Sequence, residues 1–368
     1  MARSNRIGTA ATLVGLVAAV AVTSVLAQSL SSGKSSKTPL SAASGEDEVL
    51  FTSSREGALQ IYRMDAEGGN AARLSQGSSA ELQPVWSRHG VVAFVSYRSG
   101  GGDIYTMNAD GSAVQRLTQS AGLDQSPAWS PDGRQLVYVG EHDGQMALFV
   151  INGDGSGQRR ISAPSGEVGS PQWAPDGKQI AFTAVIKQKL QILLVDLATG
   201  ATQQLTQDSA GGNGPMWSPD GKAVVYVHAG GRTDGINLRL LRIGEKEPVA
   251  LTKNGYTSSQ PRFSPDGSKL LYLSNASNQG AAMNVHVMNA DGTGATNLTH
   301  WQHADMSADW SADGRHVYFM SFRDWPGQLY RMTVDGQDVR RLTDSKFQDG
   351  FPAVRPARKS PLAMAPSN

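Results

Sequence analysis

Residues Ala128–Gly133 read AWSPDG, and near copies of these six letters recur along the chain. WAPDG begins at Trp173, WSPDG at Trp217, FSPDG at Phe263 and WSADG at Trp310. The four residues Ser130–Gly133 predict a type I turn. Pro131 has its φ preset for the second position, Asp132 is favoured beside it, and Gly133 accepts the positive φ needed at the exit. Such a turn joins two strands in a tight hairpin. Trp129, pointing away from the turn, is expected to bury its ring between neighbouring units.

Working outward, the aromatic anchors Trp86, Trp129, Trp173, Trp217, Phe263 and Trp310 follow one another at intervals of 43 to 47 residues. One further step reaches Val354 in FPAVRPAR, a decayed copy whose Pro352 matches Pro84 and Pro127. Three more segments recur in each unit. An apolar run follows the turn (VVAFVS from Val91, HVYFMS from His316). A second run comes about ten residues later (IYTMNADG from Ile104), and a short RLT-like piece closes the unit (QRLTQ from Gln115). Four β segments repeated at this period predict an all-β fold, a β-propeller of four-stranded blades. Seven units are present, so seven blades are expected; six would leave one unit outside the ring. The segments are named A (ending at the anchor), B, C and D. The chain enters at B near Val49 and leaves at A near Val354, so N- and C-terminal strands together close the terminal blade and remove an exposed edge. The propeller should span residues 48–356. The NADG turn between C and D lacks the acidic spacing of a calcium loop and reads as a turn.

Composition narrows the function. Lys and Arg number 33 against 32 Asp and Glu, so no strong field points to nucleic acid. Cysteine is absent, which excludes disulfides and thiolate chemistry. Arg3 and Arg6 precede an uncharged run from Ile7 to Leu26. That order predicts an export signal over residues 1–27, with an uncleaved membrane anchor as the alternative. A polar linker (28–47) and a disordered tail (357–368) complete the expected organisation.

The unit xPxWSPDGxxLVYVS…IYxMNADGxxxxRLT resembles the repeat of TolB-like propellers, the WD-like repeats of bacterial envelope proteins, over about Val49 to Val354. The resemblance implies a binding propeller of the cell envelope. Related blades also occur in propellers attached to prolyl-oligopeptidase-type hydrolases and in oligogalacturonate lyase. A linker, rather than the α/β domain that TolB carries ahead of its propeller, is expected before the first strand.

Catalytic signatures are missing: the sequence has no G-x-S-x-G elbow, no phosphate loop and no H-E-x-x-H. Topology suggests a binding site instead. The D–A and B–C connections share one face, and the D–A loops rim the central channel. Five residues before their anchors stand Glu81, Asp124, Asp305 and Asp349, with Glu167 one residue earlier in its own unit. Gly212 and Ser258 occupy this place in the other two units. Three B–C turns, SSREG, SYRSG and SFRDWPG, bring Arg55, Arg98 and Arg323 to the same face, with Trp325 beside them. The acidic ring is expected to receive a basic peptide, an amine-bearing chain terminus or a cation at the channel mouth. The plainer expectation for any single carboxylate is that it caps local N–H groups or pairs with those arginines.

These readings lead to an exported, monomeric, non-enzymatic module without a cofactor, whose partner is an envelope protein, a peptide or a glycan. Two alternatives stand beside it. One is a metal-assisted polysaccharide lyase or hydrolase built on His303 and Asp305, with His300 as a further weak ligand candidate. The other is a membrane-anchored assembly scaffold.

Overall fold

The central residues of strand B are apolar in every repeat, because they are covered on both faces. In Val91–Ser96 the alternating side chains part company. Val92 and Phe94 join Leu50 and Ile61 in one cluster, while Ala93 and Val95 join Leu136 and Tyr138 in another. The core is therefore a series of layers between blades, each built from the facing sides of two neighbouring sheets.

The structure is a computed structural model and describes residues 47–161, 167–207, 210–230, 234–253 and 255–357. The expected leader, all of the linker but its last residue, and the tail beyond 357 lie outside the described residues. Seven antiparallel sheets of four strands are present. Blade 1 consists of strands B, C and D at Glu48–Glu56, Ala58–Asp65 and Ala72–Arg73, completed by strand A at Asp349–Val354. Its closure is antiparallel, with Val49 opposite Val354 and Ser53 opposite Asp349. In blades 2 to 7 the inner strands A are Glu81–Trp86, Asp124–Trp129, Val168–Trp173, Gly212–Trp217, Ser258–Phe263 and Asp305–Trp310. The seven-bladed ring and the split closing blade agree with the sequence reading. The one helix among the described residues is a 3-10 turn at Ala276–Asn278, and none is long and apolar enough to cross a membrane.

The repeated motif sets shape, as its residues predict. Gly133 has φ 72° and its N–H donates to Ser130 O at 2.8 Å. The Ser130 hydroxyl donates to Asp132 Oδ1 (2.6 Å) and accepts from the Gln135 N–H (2.9 Å). This hydroxyl holds the Asp132 carboxyl below its usual range. The same serine–aspartate bond forms at Ser218–Asp220, Ser264–Asp266 and Ser311–Asp313. The anchors join blade to blade. The indole N–H groups of Trp86, Trp173, Trp217 and Trp310 donate to the carbonyls of Ala353, Ala128, Gln172 and Arg262 in the preceding blade, at 3.0 to 3.3 Å. Trp129 and Phe263 depart from the expectation in degree, being half-buried. The RLT segment ties strand D back to strand C. The Thr118, Thr206, Thr252, Thr299 and Thr343 hydroxyls each accept a backbone N–H of that strand.

Each inner strand also carries a β-bulge at its third residue. Gln83, Ser126, Ser170, Gly214, Gln260, Ser307 and Phe351 all adopt φ between 46° and 62°. Proline follows in six of the seven, at 84, 127, 171, 215, 261 and 352. A bulge interrupts the ladder, so the missing proline N–H is not needed there. For residues other than glycine the left-handed conformation costs about 1 kcal/mol or more. The ring holds it in place because a bulge sharpens the strand's twist.

Candidate functional site: the face of the D–A and B–C loops

Glu81 opens the inner strand of blade 2 and lies opposite Ser96, the last residue of strand B. Two residues later, at the B–C turn, Arg98 folds back over the strand ends. Its backbone N–H and its Nε both reach Ser96 Oγ, at 3.3 and 2.8 Å, and its Nη2 donates to Glu81 Oε1 at 2.9 Å. The guanidinium plane rests over the Tyr105 ring, 4.8 Å from the centroid. One turn thus fixes an arginine by a hydroxyl, a carboxylate and an aromatic face.

Blade 1 repeats the cage: Arg55 Nε donates to Ser53 Oγ (2.8 Å), its Nη2 donates to Asp349 (2.8 Å), and it stacks on Tyr62 at 4.5 Å. Blade 7 repeats it more loosely. Arg323 Nε donates to Ser321 Oγ at 3.0 Å and stacks on Tyr330 and Trp301, both at 4.6 Å, but stands 3.9 Å from Asp305. Blades 7, 1 and 2 are consecutive in the ring, so the three cages form one arc. The other blades differ at the same places. Blade 3 keeps Asp124 but has His142 where the arginine would be, its ring 4.5 Å from that of Phe149. Blades 4, 5 and 6 begin strand A with Val168, Gly212 and Ser258 and carry Ile186, Gly230 and Ala276 at the arginine position.

Glu81, Asp124, Asp305 and Asp349 are fully buried. Arg55 and Arg98, each 29 % exposed in the side chain, reach the surface above them. Glu167, half-buried, precedes its strand and heads no cage. Burial raises the Glu81 carboxyl above its usual range against the pull of Arg98. It raises Asp305 against the Ser321 and Thr299 hydroxyls, and Asp124 against those of Thr118 and Ser120. The Arg323 guanidinium is lowered, also by burial.

Aromatic side chains complete the face. Tyr97 and Trp325 project from the B–C turns of blades 2 and 7, and Trp301 and Phe347 from the D–A loops entering blades 7 and 1; all four are exposed. Trp325 is 84 % exposed and rests against Phe322 at 5.8 Å. The serines and strand-C tyrosines of the cages were not singled out from the sequence. Their signal was the spacing Ser-x-Arg, written three times as SSR, SYR and SFR, each followed by a tyrosine one strand later. Of the residues named for the alternative metal-assisted reading, His300 and His303 are exposed while Asp305 is buried. Among the described residues no group of three or more His, Asp or Glu side chains is placed to hold a metal ion.

Comparison with known proteins supports the same architecture. A family model described as the TolB beta propeller domain matches residues 90–238 and again 213–367. An uncharacterized protein of Agrobacterium fabrum is 36% identical over 110 residues, which is 30% of this chain and 36% of that protein. An uncharacterized peptidase of Bacillus subtilis is 30% identical over 108 residues, 28% of this chain and 16% of its own length. The chain therefore spans little more than a third, or less, of these curated relatives. Among solved structures, TolB from Acinetobacter baumannii superposes with a TM-score of 0.57 at 20% identity, covering 81% of this chain and 79% of that one. Oligogalacturonate lyase from Vibrio parahaemolyticus gives 0.62 at 16% identity, covering 81% and 85%. A puromycin-hydrolyzing peptidase of Mycobacterium tuberculosis gives 0.63 at 16%, covering 78% of this chain and 50% of the peptidase. At these identities the structural likeness is one of fold.

Proposed function

The chain belongs to the TolB beta propeller family, and we propose that it is an exported, non-enzymatic propeller that binds a protein or peptide partner through the loop face of blades 7, 1 and 2. The observation that carries this reading is the company the three arginines keep. Tyr97, Trp301, Trp325 and Phe347 are exposed on the same arc of loops that holds Arg55, Arg98 and Arg323. Trp, Tyr and Arg supply most of the energy at protein interfaces. An arginine already fixed by its serine, carboxylate and ring loses little rotamer freedom when a partner arrives. Export is supported by the basic-then-apolar order of residues 3–26.

The test is capture of a partner from an envelope extract by the full chain, compared with a Tyr97→Ala/Trp301→Ala/Trp325→Ala variant. Each truncated anchor is expected to cost about 2 kcal/mol of binding, so the triple variant should capture nothing while keeping a single cooperative melt. Undiminished capture by a folded triple variant would remove the proposed surface.

A further inference from the structure

Blade 3 keeps the walls of the cage and lacks its cation. Asp124 heads the inner strand, fully buried, opposite Gly140. Tyr138 stacks on Phe149 at 5.5 Å, as Phe94 does on Tyr105 at 5.8 Å in blade 2. At the arginine position stands His142, and Gly140 replaces the serine whose hydroxyl would accept the arginine Nε. The histidine ring takes the stacking place on Phe149 without completing the polar contacts. Asp124 Oδ1 and His142 Nε2 are both buried atoms without a hydrogen-bond partner. The second carboxylate oxygen, Oδ2, accepts from the Ser120 hydroxyl at 2.9 Å.

Neighbouring charges leave this carboxylate to a visitor. Among the described residues no salt bridge is formed by Asp124, whereas Glu81, Asp305 and Asp349 each face an arginine. Asp103 is occupied by Arg116, whose Nη2 reaches both of its oxygens at 3.0 Å. Glu141 and Asp143 flank His142 at the B–C turn, which makes the entrance negative.

We propose that blade 3 is a recognition subsite for a guanidinium group presented by the ligand. The group enters from the B–C turn, displaces the half-buried His142 ring from Phe149, and pairs with Asp124 as Arg98 pairs with Glu81 one blade away. The chain shows three times what this kind of cage holds: a planar cation between an aromatic face and a buried carboxylate. A guanidinium suits it better than an ammonium, because it stacks flat while its edge donates in a fixed fork. The subsite rests on the reading of this face as the binding face and adds that the partner offers an arginine to it.

Isothermal titration calorimetry of the full chain with N-acetyl-argininamide tests the subsite, with the citrulline analogue as an uncharged control of the same shape. Arginine should bind saturably and the citrulline analogue at least about tenfold more weakly, the factor of one charge-assisted contact. His142→Arg, which supplies the chain's own guanidinium, should abolish the signal, as should Asp124→Asn; His142→Ala should strengthen it. Absence of saturable binding, equal binding of arginine and citrulline, or unchanged binding by His142→Arg would each overturn the proposal. If Asp124→Asn fails to fold, His142→Arg decides. Partner capture that persists while the arginine titration fails removes this subsite and leaves the binding face standing.

Discussion

Arg98→Ala probes the cage most directly, because it removes the cation from a carboxylate that has no access to water. Glu81 is fully buried, and without Arg98 its remaining hydrogen-bond partner is the Ser96 hydroxyl at 3.1 Å. Removing one partner of a buried ion pair costs about 3–5 kcal/mol. Arg98 is itself 29 % exposed and partly screened, which favours the lower end, about 3 kcal/mol even with the lost stacking on Tyr105. Unfolding entropy near 60 °C is about 2.1 cal/mol/K per residue, so in a propeller of about 300 residues this loss lowers the melting temperature by about 5 °C. The pH dependence follows from the direction of the Glu81 shift. Its carboxyl already lies above the ordinary value of 4.5 in the folded protein, and losing Arg98 raises it further. A raised carboxylate contributes stability that is fully present below the unfolded value and is lost as pH rises through the folded one. The variant's deficit should therefore be widest at pH 7.5 and shrink toward pH 5 as Glu81 takes up its proton. Calorimetric melts of both proteins across this range measure it. A deficit below about 1 °C at neutral pH, or one that stays constant or grows on acidification, would refute the reasoning.

Trp173→Phe loses the indole bond to Ala128 O and leaves a small gap between blades 3 and 4, so the urea midpoint should fall by the equivalent of about 1–2 kcal/mol with an unchanged slope. Asp132→Ala should cost about 1 kcal/mol at neutral pH. Because the Ser130 hydroxyl lowers the Asp132 carboxyl, its contribution is present above the ordinary value of 3.8 and lost as pH falls through the folded one; melts of the variant and parent should converge in acid. Ending the chain before Asp349 removes strand A of blade 1, exposes the edge at Val49–Ser53, and should abolish the single cooperative melt; a truncated chain that melts like the parent would show that closure contributes nothing.

The propeller was legible in the sequence because each blade writes its own local chemistry. Pro131, Asp132 and Gly133 make a turn whatever surrounds them, and Trp173 or Trp217 at a fixed distance marks the inner strand. Counting such units gave seven blades, and the split at Val49 and Val354 gave the closure. These features depend on neighbours a few residues away, so periodicity carries them. The loop face was legible as a location: Glu81, Asp124, Asp305 and Asp349 were found by their offset from the anchors.

Their burial was not legible. The offset says that Glu81 opens an inner strand, but packing between blades decides that its side chain lies beneath Arg98 rather than in the channel mouth. Nor did local preference mark the bulges. Gln83, Ser126 and Phe351 have no inherent tendency to φ near 55°; closing seven twisted sheets around one axis imposes it. The cages are likewise a tertiary result, because Glu81, Ser96 and Tyr105 come from three strands, Arg98 comes from the turn between two of them, and all four meet on the same face. The sequence by itself determined the repeat, its turns and its count, all set by short-range sterics and alternation. The tertiary structure alone decided which charges are buried, which rings cover them, and that the His142 ring of blade 3 lies against Phe149 beside a carboxylate without an ion-pair partner among the described residues, because those depend on contacts between residues far apart in the chain.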